Sequence, residues 1–152
     1  MDRALVVVDD TAQHRELLEE AGDLAEGVAA DLVLVATMTE EEAEENIEAM
    51  ERFAEIEHTS FGGSDVLEAV EGLARDVGHE VLRERDVDFD AVGVFVENDD
   101  HAGAILDVAR KRDCDHVFLP GRRRSPTGKA IFGDTAQRVI LNYDDPVTVL
   151  TG

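Results

Sequence analysis

Between His116 and Gly133 the chain reads HVFLPGRRRSPTGKAIFG. The groups able to do chemistry here are the cations Arg122, Arg123, Arg124 and Lys129, set among Gly121, Ser125, Gly128 and Gly133. Cationic side chains and open glycine backbone after an apolar strand, with a helix behind them, are what an α/β protein uses to hold a phosphate. The stretch contains no acid, although Asp and Glu make up 36 of the 152 residues. A random window of 18 would hold about four of them.

Other chemistries find less support. A Walker loop needs Gly-x4-Gly-Lys-Ser/Thr, and around Gly128-Lys129 the first glycine is replaced by Arg123 and the hydroxyl by Ala130. His14, His58, His79, His101 and His116 are scattered without metal-ligand spacing, so no metal site is expected. No Gly-x-Ser-x-Gly elbow and no recognisable Cys/His pair is present, so covalent or hydrolytic catalysis has no sequence basis. Cys114, the single cysteine, is expected to be an inert packed thiol, and it excludes an internal disulfide.

The loop must be positioned by the elements around it. Residues 3–8 (RALVVV) form a short apolar, β-branched run closed by Asp9-Asp10-Thr11, a buried strand followed by a turn. Leu17, Ala21, Leu24 and Val28 then recur at helical spacing over 12–29. A second strand is LVLVA (32–36), and a helix is expected over 39–57, opened by Thr39 and Glu42 as a capping box. After Phe61-Gly62-Gly63, Ser64 can cap a helix over 65–85 with Val66, Val70, Leu73, Val77 and Val81 on its apolar face. A third strand (91–97), a helix (100–112), a fourth strand (116–120), the basic loop, a helix (134–142) and a last strand (147–150) complete the order. Apolar strands alternating with helices predict an α/β fold, an open parallel sheet covered on both faces, in one domain over 1–152. Ligands of such sheets bind beyond the carboxyl ends of the strands, where the winding reverses.

The formal charge of −22, with two Lys against twelve Arg, excludes some partners and suggests a setting. Nucleic-acid binding needs many clustered cations, and this chain has one small cluster. Self-repulsion on this scale is tolerable when salt screens it; at about 1 M salt the Debye length is about 3 Å. The expectation is a cytoplasmic protein of a salt-in halophile, an archaeon. No apolar run approaches a membrane span, and the N-terminus lacks the layout of a signal peptide. The apolar, lysine-free strand VTVL would lie at a sheet edge and invite pairing with another chain.

The whole chain resembles the universal stress protein family, of the haloarchaeal type. The features that carry this are the opening strand with its terminal acid (VVVDD), the five-strand layout, the glycine loop after the fourth strand and the closing Pro-Val-Thr-Val strand. The resemblance implies the adenine-nucleotide α-hydrolase-like sheet, with strand order 3-2-1-4-5, and a two-fold homodimer through the last strand. Nucleotide-binding members carry Gly-x2-Gly-x9-Gly-Ser/Thr at the loop. Here Gly121 and Gly133 match in role, but Arg124 stands at the second glycine, the span from it to Gly133 is one residue short, and Asp134 replaces the hydroxyl residue. Gly128 can restore the close backbone approach, and Thr135 can supply a hydroxyl one position on.

The implied function is a non-catalytic stress-response module that binds ATP, with Mg, or a related adenine nucleotide. Asp9 and the second-strand end from Val35 to Thr37, largely through its backbone, would face the base and ribose; Gly121, Arg124, Ser125, Gly128, Gly133 and Thr135 would face the phosphates. Asp9 could instead cap the helix that starts near Ala12, and Arg124 could pair with Asp134 and close the site. The alternatives are a dimeric interaction module without nucleotide and a slow ATPase.

Overall fold

The computed structural model describes residues 1–45, 63–121 and 132–151. Five parallel strands, β1 (Arg3–Val7), β2 (Asp31–Thr39), β3 (Phe89–Val96), β4 (His116–Gly121) and β5 (Val147–Thr151), form one sheet in the order β3-β2-β1-β4-β5. This is the expected α/β architecture and the expected order. Helices α1 (Ala12–Val28), α2 (Gly63–Val81), α3 (His101–Lys111) and α4 (Asp134–Asn142) link the strands. Residues 40–45 are also helical, while the rest of the helix expected over 39–57 lies outside the described residues.

Strand periodicity divides the core. Ala4 and Val6 of β1 point to one face, where they meet Leu17, Leu18 and Ala21 of α1 and Val70, Ala74 and Val77 of α2. Leu5 points to the other, against Ile105 and Ala109 of α3 and Val139 of α4. Because β1 is central and covered on both sides, all three of these residues are fully buried, which is why it reads as a continuous apolar run. On β3, Gly93 lets α2 approach its strand. A Cβ there would lie 2.8 Å from the Glu71 nitrogen and 2.9 Å from the Leu67 oxygen, both main-chain atoms.

Some expectations need correction. On α1 the buried stripe is Leu17, Leu18, Ala21, Gly22 and Ala25, whereas Leu24 and Val28 are 49% and 56% exposed. Spacing alone chose the wrong edge of that helix; on the buried edge Gly22 fits and a larger group would not. A Cβ on Gly22 would come 2.5 Å from the Leu82 side chain. β2 extends to Thr39, three residues past the apolar run, because β3 pairs with it as far as Val96. Thr39 still accepts a hydrogen bond from the Glu42 N–H at 3.1 Å, the first half of the expected capping box. α2 spans Gly63–Val81, so the Ser64 expected to cap it lies within the helix, which stops at Val81, not residue 85.

Candidate functional site

The crevice is made by strands of unequal reach. Pairing of β1 with β4 ends at Val6 and Phe118, whereas β4 stays paired with β5 up to Gly121 and Thr151. Pro120 has no N–H, so it cannot extend the β1 side of the ladder. β1 itself stops at Val7, paired with Val35, and one further bond joins the Val8 N–H to the Val35 carbonyl at 2.9 Å. Past Val35, β2 pairs only with β3. A gap therefore opens beyond β1, between the ends of β2 and β4, at the winding reversal where the loops were expected to converge.

A cavity of about 280 Å³ lies on the β4 side of this gap. Its wall comes from Gln13 on α1, Pro120 and Gly121 on β4, and residues 132–136 leading into α4. Thus Gly121, Gly133 and Thr135, three of the expected site residues, line one cavity. Gly133 precedes the first turn of α4 at φ 97°, a conformation that glycine adopts and other residues rarely do. Gly121 is set by close approach: a Cβ there would lie 2.5 Å from Cγ1 of Val149 and 3.1 Å from the Phe132 carbonyl oxygen. Arg124, Ser125 and Gly128 lie outside the described residues, as do Arg122, Arg123 and Lys129.

The remaining expected residues lie at the strand ends without lining this cavity. Val35 is fully buried, its side chain in the core on the α3 and α4 face. Thr37 is half-buried on the part of β2 that has passed the end of β1. Asp9 is exposed, and its carboxylate accepts the Asp10 N–H at 2.8 Å. It does not cap α1: that role falls to Thr11, whose hydroxyl accepts the His14 N–H at 3.1 Å. The same hydroxyl lies 2.6 Å from His14 Nδ1. Burial lowers the His14 pKa and outweighs the opposing pull of the Asp9 carboxylate. A neutral ring can take the Thr11 hydroxyl proton on Nδ1.

Sequence reasoning missed Gln13. Its side-chain Nε2 donates to the Gly121 carbonyl at 2.8 Å and to the Leu150 carbonyl at 3.3 Å, tying the start of α1 to the ends of β4 and β5. The available signal was an amide two residues after the cap of a helix whose N-terminus must face β4 in a 3-2-1-4-5 sheet. Arg15, two residues along, is occupied, bonding Asp10 and Glu80 at 2.9 and 2.8 Å. Asp134, the acid of the first α4 turn, is exposed and makes no ion pair with a described residue.

A larger cavity, about 720 Å³, lies between α2 and the start of β3 and includes Arg75, His79 and Phe89 in its wall. It opens at the amino end of an edge strand, opposite to where open parallel sheets bind ligands. Arg75 is held by Glu71 at 2.7 Å, and His79 packs edge-on against Phe89. Among the described residues no group of three or more His, Cys, Asp or Glu gathers to hold a metal ion. No helix among them is long and apolar enough to cross a membrane.

A family model described as the universal stress protein family matches residues 1–151. The chain belongs to the universal stress protein family. Solved structures agree with it in fold along nearly the whole length. A universal stress protein from Archaeoglobus fulgidus is 21% identical, with 98% of this chain and 97% of that one covered and a TM-score of 0.62. Universal stress protein UspA from Lactobacillus plantarum is 15% identical, with 98% and 97% covered and a TM-score of 0.66. The Archaeoglobus fulgidus protein solved in complex with dAMP is 15% identical, with 98% and 96% covered and a TM-score of 0.60. No curated protein matches the chain.

Proposed function

We propose that this universal stress protein is a non-catalytic, single-domain module of the stress response that binds ATP or a related adenine nucleotide beside β4. The observation that carries the reading is the cavity at the end of β4, where Gly121 and Gly133 bring main chain to the surface at the start of a helix. A structural neighbour in complex with dAMP and another in complex with cAMP support the ligand class. Gly121, Gly133 and Thr135 would form the described part of the phosphate wall, with Arg124, Ser125 and Gly128 completing it. Asp9, with Val35 and Thr37 largely through their main chain, would border the base and ribose. Mg²⁺ would enter on the phosphates of the nucleotide.

Titration of ATP by calorimetry in about 2 M KCl tests this, because the Debye length there falls below about 3 Å and the net charge no longer repels the ligand. Saturable heat is expected; its absence would sink the nucleotide reading. One observation favours a second reading, an interaction module without nucleotide: Asp134 places a carboxylate where a phosphate would approach the helix.

The module would work as a cytoplasmic homodimer in a halophile, paired through β5. That strand is at the sheet edge, every residue of it is half-buried, and Ile140 and Leu141 of α4 are 41% and 73% exposed. Light scattering in the same buffer should return twice the chain mass, and a monomer would refute this part.

A further inference from the structure

We propose that the free edge of β3, with the groove beside the end of α2, docks an extended peptide of a partner protein in which carboxylates alternate with apolar residues. In a parallel ladder both main-chain groups of a residue face the same neighbour. The Leu32 N–H bonds the Asp88 carbonyl at 3.0 Å, so residues 88, 90 and 92 face β2. Phe89, Ala91 and Gly93 therefore turn their N–H and C=O groups outward, without partners among the described residues. Phe89–Val96 contains no proline or lysine and pairs without a bulge, so nothing in the strand itself blocks a further one. The groove of about 720 Å³ opens at the amino end of β3, whereas Thr39 and Gly63 both stand at the carboxyl ends of the strands.

Alternation sorts the charges here by face. Phe89 and Ala91 lie on the α2 face, where the Phe89 ring packs edge-on against His79 at 5.1 Å. Arg75 and His79 stand one turn apart on that wall, about 6 Å, and Arg83 follows just past the end of α2. Glu71, on the same wall, is bound by Arg75 at 2.7 Å, while Arg83 has no partner among the described residues. Asp88 and Asp90, alternating with Phe89, belong to the opposite face, where Asp90 lies 3.8 Å from Arg112 and Val92 and Val94 continue the strand. A strand laid along β3 presents alternate side chains to each face about 6.6 Å apart, close to the Arg75–His79 spacing. Carboxylates suit the α2 face, where Arg83 and His79 can donate to them. Apolar groups suit Val92 and Val94, and Asp90 disfavours acids there. A second copy does not fit this edge. Its α2 lies directly over β3, since a Cβ on Gly93 would come 2.8 Å from the Glu71 nitrogen. Antiparallel two-fold pairing would set two such helices about 5 Å apart on one face, where packed helices need about 8–10 Å. A lone extended segment brings no helix.

The test is fluorescence anisotropy of a labelled, end-blocked peptide, Glu-Val-Glu-Thr-Glu-Val, titrated with the full chain in about 2 M KCl, where the net charge of −22 is screened. A peptide of the same composition with its acids clustered, Glu-Glu-Glu-Thr-Val-Val, is the control. Ala91→Pro removes only an N–H that faces outward, and Arg83→Glu reverses an exposed charge. Unchanged melting temperatures show that both variants fold; should Ala91→Pro melt lower, Arg83→Glu decides alone. The expected result is saturable binding of the alternating peptide, about threefold weaker for the clustered peptide and for Arg83→Glu, and about tenfold weaker for Ala91→Pro. Equal affinity for the two peptides, or an Arg83→Glu variant that binds as well as the natural chain, overturns the proposal, as does the absence of any anisotropy change. A mass above twice that of the chain in light scattering, lowered by Ala91→Pro, would give the edge to a second copy and overturn it too.

Discussion

Replacing Gly121 with Ala tests whether the mouth of the cavity is shaped by packing against the edge strand. The new Cβ would sit 2.5 Å from Cγ1 of Val149 and 3.1 Å from the Phe132 carbonyl oxygen. The first contact is prohibitive unless Val149 moves, and a β-branched side chain in a strand has few rotamers to move into. The second is tight but tolerable with a shift of a few tenths of an ångström. Overpacking of this kind costs about 1–3 kcal/mol, so about 2 kcal/mol is expected for Gly121→Ala. For a chain of this size that is a fall of about 4–8 °C in melting temperature. Val149→Ala removes two methyl groups from a half-buried position and should cost about 1 kcal/mol alone. Independent effects would sum to about 3 kcal/mol. If the clash is with Val149, the double variant instead resembles Val149→Ala, and the cycle returns a coupling of about 2 kcal/mol. Urea unfolding of the four proteins at constant KCl, followed by circular dichroism, measures this. Strict additivity would refute the packing argument and leave the Phe132 main chain as the cause.

Three further predictions concern other parts of the molecule. Gly93→Ala drives a Cβ into the α2 main chain and should destabilise by about 1–3 kcal/mol, whereas Gly27→Ala, with nothing within 4 Å, should be neutral or gain up to about 1 kcal/mol; equal melting temperatures would contradict the close approach. Burial pushes the Cys114 thiol up to about 11, so from ionisation alone a disulfide reagent at pH 8 should label the folded chain about 200-fold more slowly than the unfolded one, and rapid labelling would show the site to be open. Partial burial would raise the Asp115 pKa, but the N–H groups of Asp2 and Arg3, at 2.9 and 3.1 Å, outweigh it and hold the carboxyl below its usual value. Its contribution is therefore full above the unfolded carboxylate pKa of about 3.9 and is lost as pH falls through the folded value. Asp115→Asn should lower the melting temperature by about 2–4 °C at pH 7 and by less as the pH approaches 3, and a gap that does not narrow would refute the linkage.

The fold was legible because the sheet is parallel and covered on both faces. Such strands must be apolar throughout, and the runs at 3–8, 32–36 and 116–120 announce themselves. Helix faces were less so. On α1 the expected stripe ran through Leu24 and Val28, whereas the buried one runs through Leu18 and Ala25, because periodicity gives a helix a face without saying where the sheet ends beneath it. At the site, the glycines were readable as glycines: Gly133 has the positive φ and Gly121 the close contact that their residue type suggested. Gln13 was not readable, since its partners are main-chain carbonyls 108 and 137 residues away and no side-chain pattern records them. The capping role of Thr11, in place of Asp9, turned on which of three consecutive polar residues the turn after β1 would orient.

Pro120 shows how one residue links these levels. Within an apolar strand it looks like a stop signal, yet β4 passes through it and pairs with β5 as far as Gly121. Alternation along the strand explains this. The Val117 N–H bonds the Pro146 carbonyl, so the N–H groups of residues 117, 119 and 121 face β5, while that of residue 120 would face β1. Proline therefore costs nothing on the β5 side and ends the ladder on the β1 side. The gap that results is bridged by Gln13, reaching from the helix that follows β1 to the last carbonyl of β4. An N–H at this position would let β1 and β4 zip further, narrowing the crevice where Gly121 and Gly133 bring their main chain to the surface.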